Sequence, residues 1–189
     1  MSMSFPCFKS TVGQFWAILC LVVSHKHPFI DGLFHGTKKP KNLGSFAPFA
    51  DEYKLLRNQG FIHESGTYTV CISCFVCDEP ARAIIKIVKG HNGHYGCERC
   101  QQEGDWQRKM TYPETSCRPR TDIQFDELRY EEHITGYSPL RELGVGTVSD
   151  FVLDYMHMVC LDVMKKMLHM WLQGPLQVRV GPRIREQIS

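Results

Sequence analysis

The chain has 189 residues, 43% of them hydrophobic, and a net charge of +2 at neutral pH, so it can build a core and is not a disordered polypeptide. Its length fits one domain or a part of a larger one. The small net charge excludes a protein that binds nucleic acid over its whole surface, but it leaves room for local basic patches.

The first clear element is an apolar run at 14–23, which predicts a strand buried on both faces. This run is too short to span a bilayer, and histidine and lysine follow it instead of a cleavage site, so neither a membrane span nor a signal peptide is predicted. A second strand is predicted at 29–34, and the short connection predicts an antiparallel hairpin. The stretch 5–10 is interpreted as the stub of another strand.

A helix is predicted next, with Ser45 as its N-cap, one broad apolar face and Gly60 as its stop. A central strand is predicted at 68–77. Cys71, Cys74 and Cys77 lie in this segment, on alternating faces, and are interpreted as core residues because they cannot converge on one metal.

The next helix is predicted at 81–88, opened by Pro80 and closed by Gly90. The order is thus three strands, a helix, a strand and a helix. That order is similar to the ribonuclease H-like fold, as an analogy of fold alone. We therefore predict an α/β protein with an incomplete ribonuclease H-like mixed sheet.

Beyond this core the composition changes, and three segments are predicted. Residues 1–90 form the partial core, and 91–150 form a loop-rich insertion with clustered cysteine and histidine. Residues 151–189 form a helical segment, interrupted at its C-terminal end. Its helix is predicted at 152–172, and the methionine and aromatic stripe along it is interpreted as core.

Asp78 is the first candidate for chemistry, because it comes directly after a buried strand and before a helix N-terminus. Ligands favour this edge of a sheet, and a two-metal nuclease needs two or three carboxylates there to bridge Mg²⁺ ions. The alternative is that Asp78 only caps the helix that follows.

The second candidate is a zinc site at Cys97 and Cys100, a CxxC pair in a glycine-flanked turn. Asp154 and His157 are the predicted second pair, because positions i and i+3 of a helix point the same way. The alternative is a reduced pair without a metal, and a thioredoxin-like redox pair is less favoured because no strand feeds this turn. Other candidate ligands are Cys160, His91, His94, His133 and Cys117.

Several basic residues are candidates for phosphate contacts, or else for an ordinary solvated surface. They are Lys38, Lys39, Lys41, Arg82, Lys86 and Lys89.

Several blocks of the chain, in order, resemble the CACTA (En/Spm)-type DNA transposases found in animal genomes. The blocks are Phe8-Lys9-Ser10, Gln14-Phe15-Trp16-Ala17-Ile18-Leu19, His35-Gly36-Thr37-Lys38-Lys39-Pro40, Cys77-Asp78-Glu79-Pro80-Ala81-Arg82, Lys89-Gly90-His91-Asn92-Gly93-His94-Tyr95-Gly96-Cys97-Glu98-Arg99-Cys100 and Leu153-Asp154-Tyr155-Met156-His157. The resemblance implies a ribonuclease H-like DDE/D core that cleaves and joins DNA with two Mg²⁺ ions, in the nucleus. It also implies that Asp78 is the second catalytic aspartate, that Cys97 and Cys100 are the family's CxxC, and that Asp154 and His157 are its DxxH element.

Two departures from the family limit the expected activity. The segment that carries the first catalytic aspartate in the family reads Met3-Ser4-Phe5-Pro6-Cys7 here and contains no acid. The third acid is expected beyond Ser189. We therefore expect a transposase-derived fragment that is inactive alone. The alternatives are a zinc-stabilised module that binds DNA or protein without catalysis, and an active nuclease whose other acids lie outside this sequence; whether the protein forms an oligomer stays open.

Overall fold

The computed structural model describes residues 4–6, 13–38, 40, 43–181 and 184. It contains both helices and strands, with the strands in small sheets, which agrees with the predicted α/β class. The chain divides into two compact units, Met1–Val152 and Leu153–Ser189. Among the described residues, none of the helices is both long and apolar enough to cross a membrane.

Three antiparallel strands open the first unit in the order β1 (Ser4–Pro6), β2 (Gln14–Cys20) and β3 (Phe29–Gly36). The predicted hairpin of the second and third strands is confirmed. Trp16 and Ala17 are consecutive and both buried, so β2 is covered on both faces at that point. The strand ends at Cys20, before the exposed residues 21–23, and residues 7–10 of the predicted stub lie outside the described residues.

Helix α1 (Ala47–Gln59) follows a 3₁₀ turn at Leu43–Ser45, and its N-cap is Phe46, so the predicted cap at Ser45 is wrong. The predicted stop at Gly60 is confirmed. Gly60 has φ 69°, and its N–H donates to the carbonyl of Leu56 over 3.1 Å.

The predicted strand at 68–77 is wrong over most of its length. Two short strands, β4 (Phe61–His63) and β5 (Gly66–Tyr68), form a separate hairpin, and only β6 (Phe75–Cys77) continues the predicted element. Cys77 alone of the three predicted core cysteines is buried, while Cys71 and Cys74 are exposed. The strand is shorter than predicted because β6 pairs with β9 (Phe151–Leu153), which is itself three residues long.

Helix α2 (Glu79–Lys86) begins two residues before the predicted start at 81 and ends before Gly90. Ile87 ends the helix in the left-handed conformation, with φ 53°, which a β-branched side chain disfavours. Backbone bonds hold the turn, because the Ile87 N–H reaches the carbonyl of Ala83 and the Ile87 carbonyl accepts from the N–H of Thr135 at 3.0 Å.

The insertion consists mainly of loops, and its Phe125, Tyr130 and Val148 form a second small core together with Val88 of the preceding segment. Leu140 and Leu143 at its far end join the main core with α1 and β9. Its short elements are β7 (Asp105–Trp106), β8 (Met110–Thr111), α3 (Asp122–Asp126) and a 3₁₀ turn at Pro139–Glu142.

In the second unit, a π-helical segment at Met156–Met164 continues into α4 (Lys165–Gln173), which ends at Gly174 as predicted. The predicted start at 152 is wrong, because Val152 belongs to β9. The stripe interpreted as core is exposed: Tyr155, Met164 and Met167 all present their side chains to solvent, and α4 buries none of its described residues.

Candidate metal centre

Asp78 lies at the junction that the sequence predicts, one residue after β6 and at the N-cap of α2. Its Oδ1 accepts the backbone N–H of Ala81 at 2.9 Å, which is the ordinary N-cap bond. The capping role is therefore realised in the structure. A role in metal catalysis stays a prediction.

A buried ion cluster follows one helical turn further along α2. The Nε of Arg82 donates to both carboxylate oxygens of Glu98, at 2.9 and 3.1 Å, and the Nζ of Lys86 lies 3.3 Å from Oε2. The exposed fractions of the side chains are 8% for Arg82, 9% for Glu98 and 1% for Lys86. Neither phosphate contact nor a solvated surface position is therefore right for Arg82 and Lys86, because both cations are occupied inside the protein. Lys39 and Lys41, two other candidates for phosphate contact, lie outside the described residues.

Two further contacts stabilise the two cations of this cluster. Arg82 also donates to the carbonyl of Cys77 at 2.6 Å, and the ammonium of Lys86 lies over the rings of Phe125 and Phe151, at 5.8 and 5.3 Å from their centroids. Burial lowers the pKa of Lys86 below its ordinary value, although the charge of Glu98 and its hydrogen bond oppose the shift.

Glu98 is the second residue of the CxxC, so the ion cluster fixes the thiol pair to α2. The Sγ atoms of Cys97 and Cys100 lie 3.2 Å apart and share a hydrogen bond. Burial raises the pKa of Cys97, and it also acts to raise that of Cys100. The pKa of Cys100 is nevertheless lowered, because its sulfur accepts hydrogen bonds from the side chain and backbone of Gln102.

A third thiol lies next to this pair. The segment that follows Cys117 pairs with the CxxC in an antiparallel bridge between Cys100 and Pro119, and the Gln101 N–H donates to the Arg118 carbonyl at 3.0 Å. The Cys117 thiol donates to the carbonyl of Arg118 at 3.8 Å, and its presence contributes to the lowered pKa of Cys100.

Arg120 and His133 support the turn from inside the protein. Arg120 donates to the carbonyls of Cys97 and Tyr95, at 3.0 and 3.3 Å, and its guanidinium lies 4.6 Å from the ring centroid of Tyr130. The Nδ1 of His133 lies 2.8 Å from the same Tyr95 carbonyl. Burial, with the charge of Arg120, lowers the pKa of His133 to about 4, so the ring is neutral and its Nδ1–H donates to the carbonyl.

The second predicted pair lies in the second unit. The Oδ2 of Asp154 lies 2.7 Å from the Nδ1 of His157, and its Oδ1 accepts the N–H groups of Met156 and His157, at 3.0 and 3.4 Å. Burial on its own would raise the pKa of Asp154, but these hydrogen bonds outweigh it and lower the pKa. A carboxylate on Nδ1 is the usual support of a histidine that binds metal through Nε2, so this geometry suits Asp154 to orienting His157.

The structure thus brings Cys97 close to Cys100 and Asp154 close to His157, each pair within its own unit. Across the part of the chain that the structure describes, no three histidine, cysteine or acidic side chains are arranged to hold a metal ion. Sequence reasoning missed the role of Glu98, because nothing in a lone acid inside a CxxC signals two buried cationic partners.

The fold and the site define an α/β protein in which a thiol pair and an aspartate at a strand end are joined by a buried ion cluster. Comparisons with known proteins give no match: no family model, no curated protein and no solved structure matches the chain.

Proposed function

We propose that this chain is a transposable-element-derived piece of a DDE/D-type DNA transposase core, of ribonuclease H-like fold, that does not cut DNA alone. The observation that carries the proposal is the position of Asp78. It follows a strand and precedes a helix, downstream of three antiparallel strands and α1. This is where the fold analogy and the family resemblance both expect a catalytic aspartate.

The route of the chain after α2 supports the same reading. Strand β6, which leads to Asp78, pairs with β9, and the insertion lies between them in sequence. The N–H of Phe75 donates to the carbonyl of Asp150 at 2.7 Å. The chain thus returns to the strand before Asp78 after a long excursion, which supports an interrupted core; in the described residues β6 and β9 form a two-stranded sheet separate from β1–β3.

The expected inactivity follows from the distribution of acids. Two-metal cleavage needs several carboxylates around one site, yet the first acid in the chain is Asp31, so β1 and β2 supply none. Asp78 itself is engaged in capping α2.

A nicking assay tests this proposal. Purified protein is incubated with supercoiled plasmid and Mg²⁺ or Mn²⁺, with Asp78→Asn as the matched control because asparagine keeps the cap and removes the charge. We expect no nicking above the level of the Asp78→Asn protein. Nicking by the wild type that the substitution abolishes would show that the chain is an active nuclease.

We further propose a structural zinc ion at the CxxC. The donors fit the metal, since Zn²⁺ prefers thiolates and imidazole, and Cys97 and Cys100 already lie side by side. His157 is the predicted further ligand, with Asp154 orienting its ring. Bound zinc would supply a cross-link and no redox chemistry. Mg²⁺ belongs to the family's reaction and is not expected to function here.

Zinc content measured by mass spectrometry tests this part. We expect zinc in the wild type and in Cys71→Ser, which removes an exposed thiol, and a loss of zinc in Cys97→Ser. Equal and negligible zinc in all three proteins would contradict the site.

A zinc-stabilised DNA-binding module without catalysis is the second candidate, and the β7–β8 hairpin favours it. Trp106 is 61% exposed there, and Arg108 and Lys109 in the turn are exposed as well. Exposed aromatic and basic side chains together suit base stacking and phosphate contact. Binding to a fluorescently labelled DNA oligonucleotide, followed by anisotropy, that Trp106→Phe keeps and Arg108→Ala weakens would support it, and binding unaffected by Trp106→Ala would contradict it. A nuclear location is part of both proposals.

A further inference from the structure

We infer that Cys117 is a third thiolate ligand of the zinc site, which becomes Cys97, Cys100, Cys117 and a fourth ligand. This inference rests on the proposed zinc site and specifies its ligand set. Its first support is the bridge between Cys100 and Pro119, which carries Cys117 to the CxxC from a position 17 residues further along the chain. A second bond, from the Arg120 N–H to the Arg99 carbonyl at 2.9 Å, closes the same pairing.

The second support is a donor that faces the sulfur of Cys100. The side-chain amide of Gln102 donates to this sulfur at 3.2 Å, and the hydrogen bonds around Cys100 lower its pKa although burial acts to raise it. A hydrogen bond of this kind stabilises a thiolate more than a neutral thiol, so the turn suits a sulfur that carries negative charge.

The third support is a compensating cation. Three thiolates around Zn²⁺ leave one negative charge, which is costly in a partly buried site. The guanidinium of Arg120 is buried, is anchored on the Cys97 carbonyl, and interacts electrostatically with all three cysteines.

Metal binding requires the three thiols to reorient toward one point, because no three such side chains among the described residues are arranged to hold an ion. Zinc–sulfur bonds of about 2.3 Å in a tetrahedron place sulfurs about 3.8 Å apart. The Sγ atoms of Cys97 and Cys100 lie 3.2 Å apart, so this pair has to open by about half an ångström, which a side-chain rotation provides. On binding, three thiol protons leave to solvent and three sulfur–zinc bonds form, with no change in oxidation state.

The test compares the wild type with Cys117→Ser, Cys117→His and the control Cys71→Ser. Zinc affinity is measured by competition with a chelator, and Co²⁺ substitution reports the thiolates through sulfur-to-cobalt charge-transfer absorption. In Cys117→Ser we expect at least about a tenfold loss of affinity and about one third less of that absorption. Cys117→His should restore the affinity, and Cys71→Ser should match the wild type.

The possible failures are distinguishable. If Cys117→Ser binds zinc and cobalt as the wild type does, Cys117 is not a ligand, while the proposed zinc site stands. If the wild type binds neither metal, the zinc site and this inference fail together.

A second readout does not depend on the variant folding. Mass-spectrometric mapping of maleimide labelling in the wild type should show that zinc protects Cys117 together with Cys97 and Cys100, while Cys71 stays reactive. Equal rates of Cys117 labelling with and without zinc would overturn the inference.

Discussion

Replacing Glu98 with alanine should lower the free energy of unfolding far more than any surface substitution does. The change removes the carboxylate that binds both Arg82 and Lys86, whose side chains are 8% and 1% exposed. Breaking a buried ion pair from one side costs about 3–5 kcal/mol, because the abandoned charge stays buried. Two cations are abandoned here. The contacts of Lys86 with two aromatic rings offset a part, so we expect a loss of about 3–5 kcal/mol out of a typical total of about 5–15 kcal/mol.

The pH dependence of this loss identifies its cause. Burial already places the pKa of Lys86 below its ordinary 10.5, so between the two values the unfolded chain holds more protons than the folded one. Stability contributed by this group therefore rises with pH in that window. Without Glu98 the folded pKa falls further and the window extends to lower pH. The deficit of Glu98→Ala should consequently be smaller at pH 9 than at pH 7.

Urea unfolding followed by circular dichroism at both pH values measures these quantities. Glu103→Ala is the matched control, because the Glu103 side chain is 62% exposed, and it should cost less than about 1 kcal/mol. Lys86→Met should be neutral or mildly stabilising, since it leaves Arg82 and Glu98 as a neutral pair. A deficit for Glu98→Ala equal to that of Glu103→Ala, or independent of pH, would refute the argument.

Three further predictions concern other parts of the chain. Asp78→Ala should cost about 1 kcal/mol of unfolding free energy, while Asp78→Asn stays within a few tenths; equal losses by chemical denaturation would exclude the capping role. His133, with a folded pKa of about 4 against 6.5 unfolded, should make stability fall by about 3 kcal/mol as pH drops from 6.5 to 4, and His133→Asn should remove that part of the fall in the unfolding midpoints. Gly60→Ala should cost about 1–3 kcal/mol in thermal unfolding, because φ is 69° and the new Cβ would lie 2.6 Å from the Tyr68 carbonyl oxygen; Gly93→Ala, whose Cβ has room, should be nearly neutral.

The features that the sequence predicted correctly depend on neighbouring residues. The β2–β3 hairpin follows from two apolar runs and a short turn, and the stop at Gly60 follows from the left-handed conformation that glycine permits. The N-cap at Asp78 likewise needs only the residues of its own turn. Such features can be read from a window of about ten to twenty residues.

Several of the failed predictions depend on distant partners. Residues 69–74 have a composition suited to a strand, but no partner strand pairs with them in the described chain, and the predicted element shrinks to β6. Ile87 replaces Gly90 as the end of α2 because the Thr135 N–H binds the Ile87 carbonyl and the His133 carbonyl accepts the N–H of Lys89. Arg82 and Lys86 show the same effect for function, since their charges predict a solvated surface and only the position of Glu98 explains their burial.

These contacts connect the thiol turn to the strand end by a short covalent and hydrogen-bonded path. Cys97 and Cys100 flank Glu98, Glu98 binds Arg82, and Arg82 donates to the carbonyl of Cys77, one residue before Asp78. A metal that fixes the turn would therefore restrict the carboxylate that keeps two buried cations in place. Since an unpaired buried charge costs several kcal/mol, loss of the metal should loosen β6 and α2 together with the turn. The proposed zinc would thus act as a structural support of the strand end at Asp78, a role that would persist whether or not this aspartate takes part in catalysis.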